Sequence, residues 1–234
     1  SADGQNWGFP TYNWEKMAED GYAWWKSRLA KMSEYFDAFR IDHILGFFRI
    51  WEIPFGTLSG LEGYFNPALP FPASELQAQG FDVDNRDLFL QDPRQEGCYH
   101  PKIGARDTQS YYCLDAYRRS SFDRLYDDFF YRRNNEFWKD KAMMKLPALL
   151  DSTGMLACGE DLGMIPATVP QVMSDLRILS LEIQRMPKSV HDNFANPAWY
   201  PYLSVCTTST HDMNPIRAWW EEDRQVTEQF WHEM

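Results

Sequence analysis

Positive charge is scarce in this 234-residue chain: 23 Lys and Arg stand against 34 Asp and Glu, a net charge of −11. A surface that neutralises nucleic-acid phosphates needs clustered cations, so no nucleic acid is expected as a partner. Cysteine is scarce as well. Cys98, Cys113, Cys158 and Cys206 form no CxxC pair and no zinc spacing, so no metal site is read here. Cysteines this widely scattered fit free thiols in a reducing cytosol, which makes the expected location cytoplasmic. There is no run of about 18 apolar residues to span a membrane. Residues 1–9 are polar and lack the apolar stretch of a signal peptide. The chain begins without Met and ends inside an apparent helix, which reads as a segment of a longer polypeptide. Internal repeats and low-complexity linkers are lacking too.

What is abundant is aromatic: 10 Trp, 12 Tyr and 16 Phe make 16% of the chain, beside an ordinary 44% hydrophobic and 24% charged content. Rings fill cores, and they also stack on the apolar faces of sugars. Composition leaves both uses open.

Along the chain, residues 1–12 read as a loop rich in Gly, Asn and Pro. Over 14–36 the apolar residues Met17, Tyr22, Trp25, Leu29, Met32 and Phe36 recur at near-helical spacing. The stretch 55–110, punctuated by Gly and Pro, reads as an irregular excursion with short elements, and 111–150 returns to helical character. Short apolar segments predict four strands, at about 36–41, 155–159, 178–183 and 203–208, with a helix at 168–177. Strands alternating with helices indicate an α/β fold with a parallel sheet. Four strands make about half of an eight-stranded barrel.

Three acidic residues sit just past three of these strands: Asp42 after Arg40-Ile41, Glu160 after Cys158-Gly159, and Asp212 after Thr210-His211. Chemistry in a parallel α/β barrel collects at the carboxyl ends of the strands. A strand period of two places Arg40 and Asp42 on one face, where the guanidinium holds the carboxylate ionised. Two carboxyl groups in one cleft suit glycoside chemistry, one supporting an oxocarbenium-like centre and the other protonating the leaving oxygen. Acidic residues also end strands as caps of the following helix, and spacing alone does not separate the two readings.

The motifs Arg40-Ile41-Asp42-His43, Gly159-Glu160-Asp161-Leu162-Gly163 and Ser209-Thr210-His211-Asp212 occur in that order. They resemble the three catalytic motifs of the 4-α-glucanotransferases, the amylomaltase or disproportionating-enzyme family related to the α-amylases. Gln5-Asn6-Trp7-Gly8 with Pro10 and Tyr12 is similar to that family's loop before the nucleophile strand. The resemblance implies part of a TIM (β/α)8 barrel, with the rest of the barrel supplied by sequence outside this chain. It implies Asp42 as nucleophile, Glu160 as acid/base and Asp212 as stabiliser of the transition state. Arg40 and His211 would support these carboxylates, while Gln5, Trp7, His43 and Asp161 would bind substrate. The implied substrates are maltose, maltodextrins or glycogen- and starch-like glucans, and no metal or organic cofactor is implied.

Asp42 and Glu160 are 118 positions apart, which resembles the long-insertion, maltose-using subgroup. The implied organisation is a barrel segment with the nucleophile strand at 1–54, an insertion and barrel helix at 55–150, and a second barrel segment at 151–234. No family sugar-binding Asp is carried onto Arg185-Met186-Pro187-Lys188. An α-glucan hydrolase of the α-amylase type and a non-catalytic glucan-binding module are the alternatives.

Overall fold

The computed structural model describes residues 6–189 and 191–234. In chain order its elements are α1 (Trp14–Ala18), α2 (Ala23–Met32), β1 (Ala38–Ile41), β2 (Ile50–Glu52), β3 (Tyr64–Asn66), β4 (Phe71–Pro72), α3 (Ala73–Ala78), β5 (Phe89–Gln91), β6 (Cys98–Pro101), α4 (Gln109–Tyr112), α5 (Ala116–Tyr131), α6 (Asn135–Leu150), β7 (Leu156–Gly159), α7 (Val169–Asp175), β8 (Leu179–Ile183), β9 (Ser204–Thr207), α8 (Ile216–Glu222) and α9 (Arg224–Glu233). The chain divides into two compact units, Ser1–Glu19 with Gly46–Met144, and Asp20–Leu45 with Lys145–Met234.

The second unit holds the parallel sheet, in the order β1-β7-β8-β9. All four strands fall where their apolar runs predict them. The helical spacing over 14–36 does not give one helix. The Asp20 side chain accepts the amide of Ala23, and Gly21 and Tyr22 both take positive φ, so the chain turns there and α2 starts afresh. A capping carboxylate and a left-handed pair outweigh the periodicity.

The faces of β1 and β7 differ in a way that places the chemistry. Phe39, Ile41 and Ala157 are buried, Phe39 opposite Ala157 and Ile41 opposite Gly159 across the ladder, and Ile44, Val172 and Met173 of the same unit are buried as well. Gly159 belongs to that layer. A Cβ there would lie 2.5 Å from Ile44 Cδ1 and 3.1 Å from Met173 Cε, so any larger residue forces Ile44 to shift, and glycine lets the turn after β1 close against β7 without that displacement.

The first unit contains two small antiparallel sheets, β2-β3 and β4-β6-β5, under the long helix α5. Its core is a lattice of rings. Phe122, fully buried, meets Phe81, Phe89, Tyr111 and Tyr126 edge-on or tilted. Trp138 packs on Phe65 and donates its indole N–H to Pro67 O at 2.7 Å. Most of the aromatic excess in this unit is therefore core, at about 1.5–3 kcal/mol for each ring fully withdrawn from water. No helix among the described residues is long and apolar enough to cross a membrane.

Candidate functional site

β1 and β7 run side by side, with Ile41 opposite Gly159, so Asp42 and Glu160 leave the sheet next to each other. The backbone of Glu160 is held on both sides: its N–H donates to Ile41 O at 2.9 Å, and its carbonyl accepts from Ile44 N at 3.1 Å. Its side chain turns back to β1, where Oε2 accepts the amide of His43 at 2.6 Å. His43 can present that amide because its φ is +49°, a left-handed conformation that a non-glycine residue adopts at some cost.

Arg40 is the hub. Its Nη2 lies 2.7 Å from Asp42 Oδ1 and 3.9 Å from Glu160 Oε2. The sum of these lengths is the most by which the two oxygens can be apart. That limit on the two nearest oxygens is compatible with the roughly 5–5.5 Å between the carboxyl groups of a retaining pair. Arg40 Nη1 also faces His211 Nδ1 at 3.4 Å, and His211 Nε2 lies 3.3 Å from Asp212 Oδ1. Guanidinium donates only, so Nδ1 is the acceptor in the Arg40 contact. This chain of contacts joins β1 to the segment after β9, at the other end of the sheet.

Glu160 is mostly buried, and burial pushes its carboxyl up from the usual carboxylate range. The charges of Asp42 and Asp212 push the same way, against the His43 amide and Arg40. The Asp42 side chain is 71% exposed, so it is open to a ligand. The site therefore pairs an open carboxylate with a shielded carboxyl that keeps its proton longer.

Arg40, Asp42, His43, Glu160, His211 and Asp212 are thus gathered in one unit. Asp161 faces elsewhere. It is buried, its Oδ1 accepts Leu181 N–H at 3.0 Å and its Oδ2 accepts Lys188 Nζ at 2.8 Å. Trp7 belongs to the first unit, is 68% exposed and stacks on Phe9. Gln5 lies outside the described residues. Lys188 and Arg185 are the residues that sequence reading missed. The signal for Lys188 is that Asp161 and Glu182, each at or near the end of an adjacent apolar strand, need a shared cation. No group of three His, Cys, Asp or Glu among the described residues is placed to hold a metal ion.

Comparison with known proteins gives the same direction. Residues 1–234 match the family model described as 4-alpha-glucanotransferase. The chain is 35% identical to 4-alpha-glucanotransferase DPE2 of Oryza sativa subsp. japonica, over 94% of its own length and 32% of the rice protein. It is 26% identical to the 4-alpha-glucanotransferase of Chlamydia pneumoniae, over 98% of its length and 31% of that protein. It therefore spans about a third of the curated relatives it matches. Among solved structures, an amylomaltase from Streptococcus agalactiae in complex with acarbose superposes with a TM-score of 0.54 at 18% identity, covering 97% of this chain and 33% of that one. An amylomaltase from Corynebacterium glutamicum gives 0.51, also at 18%, over 94% of this chain and 21% of that one. The four parallel strands are part of a (β/α)8 barrel, and the chain belongs to the 4-alpha-glucanotransferase family.

Proposed function

We propose that this chain carries the catalytic carboxylates of a retaining 4-α-glucanotransferase that disproportionates maltose, maltodextrins or glycogen- and starch-like glucans. The observation that carries the reading is the shared guanidinium: Arg40 reaches the open Asp42 and the shielded Glu160 from one side chain. In this reading Asp42 attacks the anomeric carbon of an α-1,4 bond. The C1–O4 bond breaks as Glu160 gives its proton to the departing oxygen, and a covalent glucosyl ester of Asp42 remains. Glu160, now ionised, takes the proton of an acceptor 4-hydroxyl. That oxygen attacks C1, and Asp42 leaves with the configuration retained.

Asp212, with His211 beside it, grips sugar hydroxyls as the charge develops, while Trp7, Gln5 and His43 contribute to the sugar subsites. The 55–150 stretch is the insertion and barrel helix, and the other barrel strands come from outside residues 1–234. Four cysteines with no disulfide support a cytoplasmic location.

The test is product analysis of the full-length protein with maltose as sole substrate. Glucose plus longer glucans is the expected outcome, whereas glucose alone would mean a hydrolase. Asp42→Ala is expected to abolish transfer, by a factor of about 10⁴ or more, while glucan binding stays measurable, because the lost interaction belongs to the transition state. Residual transfer near the wild-type rate would remove Asp42 as the nucleophile.

A further inference from the structure

The ladder between β7 and β8 is short. It ends at Gly159 opposite Ser180, whereas β8 and β9 stay paired from Ser180–Ser204 through Ile183–Thr207. The next amide along β8, that of Leu181, donates to the Asp161 carboxylate at 3.0 Å, so a side chain continues the seam where the backbone pairing stops. The other oxygen of Asp161 takes Lys188 Nζ at 2.8 Å. The same ammonium lies 2.8 Å from Glu182 Oε1, which also accepts from Ser180 Oγ at 3.1 Å.

Asp161 and Glu182 keep only 5% and 11% of their side-chain surface. Two shielded carboxylates depend on one cation, and removing it would leave both uncompensated in a poorly solvated place. Lys188 stands in the segment after β8, and Arg185 anchors the same segment on its other side. The Arg185 guanidinium donates to Thr208 O at 2.8 Å and Asn214 O at 2.6 Å, the carbonyls that flank His211-Asp212. The 184–189 segment is a strap from the residue beside Glu160 to the residues beside Asp212.

We propose that Lys188 is a positioning residue for Glu160: its ion pairs with Asp161 and Glu182 lock the end of β7 to β8 and so set where the acid/base carboxyl points. Glu160 is one peptide from Asp161, and its own backbone bonds to Ile41 and Ile44 lie on the β1 side, in β1 and the turn after it. With Lys188 lost, only the Leu181 amide still holds Asp161 to β8, no cation offsets the repulsion between Asp161 and Glu182, and the peptide after Glu160 is free to rotate. The inference rests on Glu160 being the acid/base.

The test compares Lys188→Met, Lys188→Arg and Asp161→Asn in the full-length protein, with maltose and α-glucosyl fluoride as donors. Fluoride leaves without a proton, so it does not need Glu160 in the first step. Lys188→Met is expected to lower kcat on maltose by about 10²-fold with KM little changed, the scale of an ångström-sized misplacement, and to cost less than about tenfold on the fluoride. Lys188→Arg, which keeps the cation, is expected to recover most of the loss. Asp161→Asn keeps an acceptor for Leu181 N–H but removes the ion pair, and is expected to show the same preference for the fluoride even if Lys188→Met folds poorly. Equal losses on both donors would reduce the triad to a general structural role. A change confined to KM would make Lys188 a sugar contact, and no change would remove it from the site. Each of these overturns the proposal. A wild-type protein inactive on both donors would instead overturn the transferase reading itself.

Discussion

At the scale of single residues, Glu160 has two tasks that compete. Burial, its largest influence, holds its carboxyl above the usual carboxylate range, so it keeps the proton that a general acid must deliver. Activity on an unactivated donor is therefore expected to fall as pH rises through this raised value. Glu160→Gln is expected to flatten that alkaline limb and to reduce turnover of maltose far more than that of α-glucosyl fluoride. The same shift has a signed effect on stability. A carboxyl raised on folding contributes stability below its unfolded pKa and loses that contribution as pH climbs through the folded value. Above the raised value an ionised Glu160 is thus a burden, and Glu160→Gln is expected to raise Tm at alkaline pH, with the gain vanishing at acid pH where the carboxyl is protonated in both states. Thermal unfolding at the two pH values checks it, and a Tm gain of the same size at both would contradict the assigned cause. The Arg40–Asp42 pair is legible in sequence because the strand period decides which side chains share a face. The His43 amide on Glu160 is not, because it depends on one residue's left-handed backbone.

At the scale of elements, the four short apolar segments at 36–41, 155–159, 178–183 and 203–208 correspond to β1, β7, β8 and β9, since strands of a parallel sheet read as compact apolar runs. The two-residue β4 (Phe71–Pro72) is too short to leave a period, β6 (Cys98–Pro101) is as long as β1 but mixes Cys, Tyr, His and Pro without an apolar run, and the 55–110 stretch shows only its Gly and Pro punctuation. Gly159 ties element packing to chemistry. Gly159→Ala places a methyl against Ile44 and Met173. It is expected to destabilise the protein by about 1–3 kcal/mol, the cost of overpacking, and to lower transfer by moving Glu160, its neighbour. Denaturant titration beside an activity assay checks this. An alanine variant of full stability would mean that Ile44 yields and that the close approach is not a constraint.

At the scale of the whole molecule, β1 and β9 are the outer strands of the parallel sheet among the described residues, and a (β/α)8 barrel closes only with eight strands. Open edges invite association, and carboxylates on a scaffold without all its walls are not held to the tolerance that catalysis needs. Residues 1–234 expressed alone are expected to self-associate and to disproportionate maltodextrin weakly or not at all, while the full-length protein is active. Size-exclusion chromatography with an activity assay decides, and a fully active monomer of this segment would refute the expectation.

The sequence by itself determined what lies within a few positions: strands from their apolar runs, carboxylates at strand ends, and the ordered motifs that mark the family. Near neighbours are enough for these, because periodicity and local chemistry set them. Only the tertiary structure decided the partnerships across distance. Arg40 meets His211 across 171 positions, the His43 amide meets Glu160 across 117, and Lys188 meets Asp161 across 27. Such contacts depend on which strands lie side by side and on the course of the loops that follow them, and both are set by the packing of the whole unit around its core.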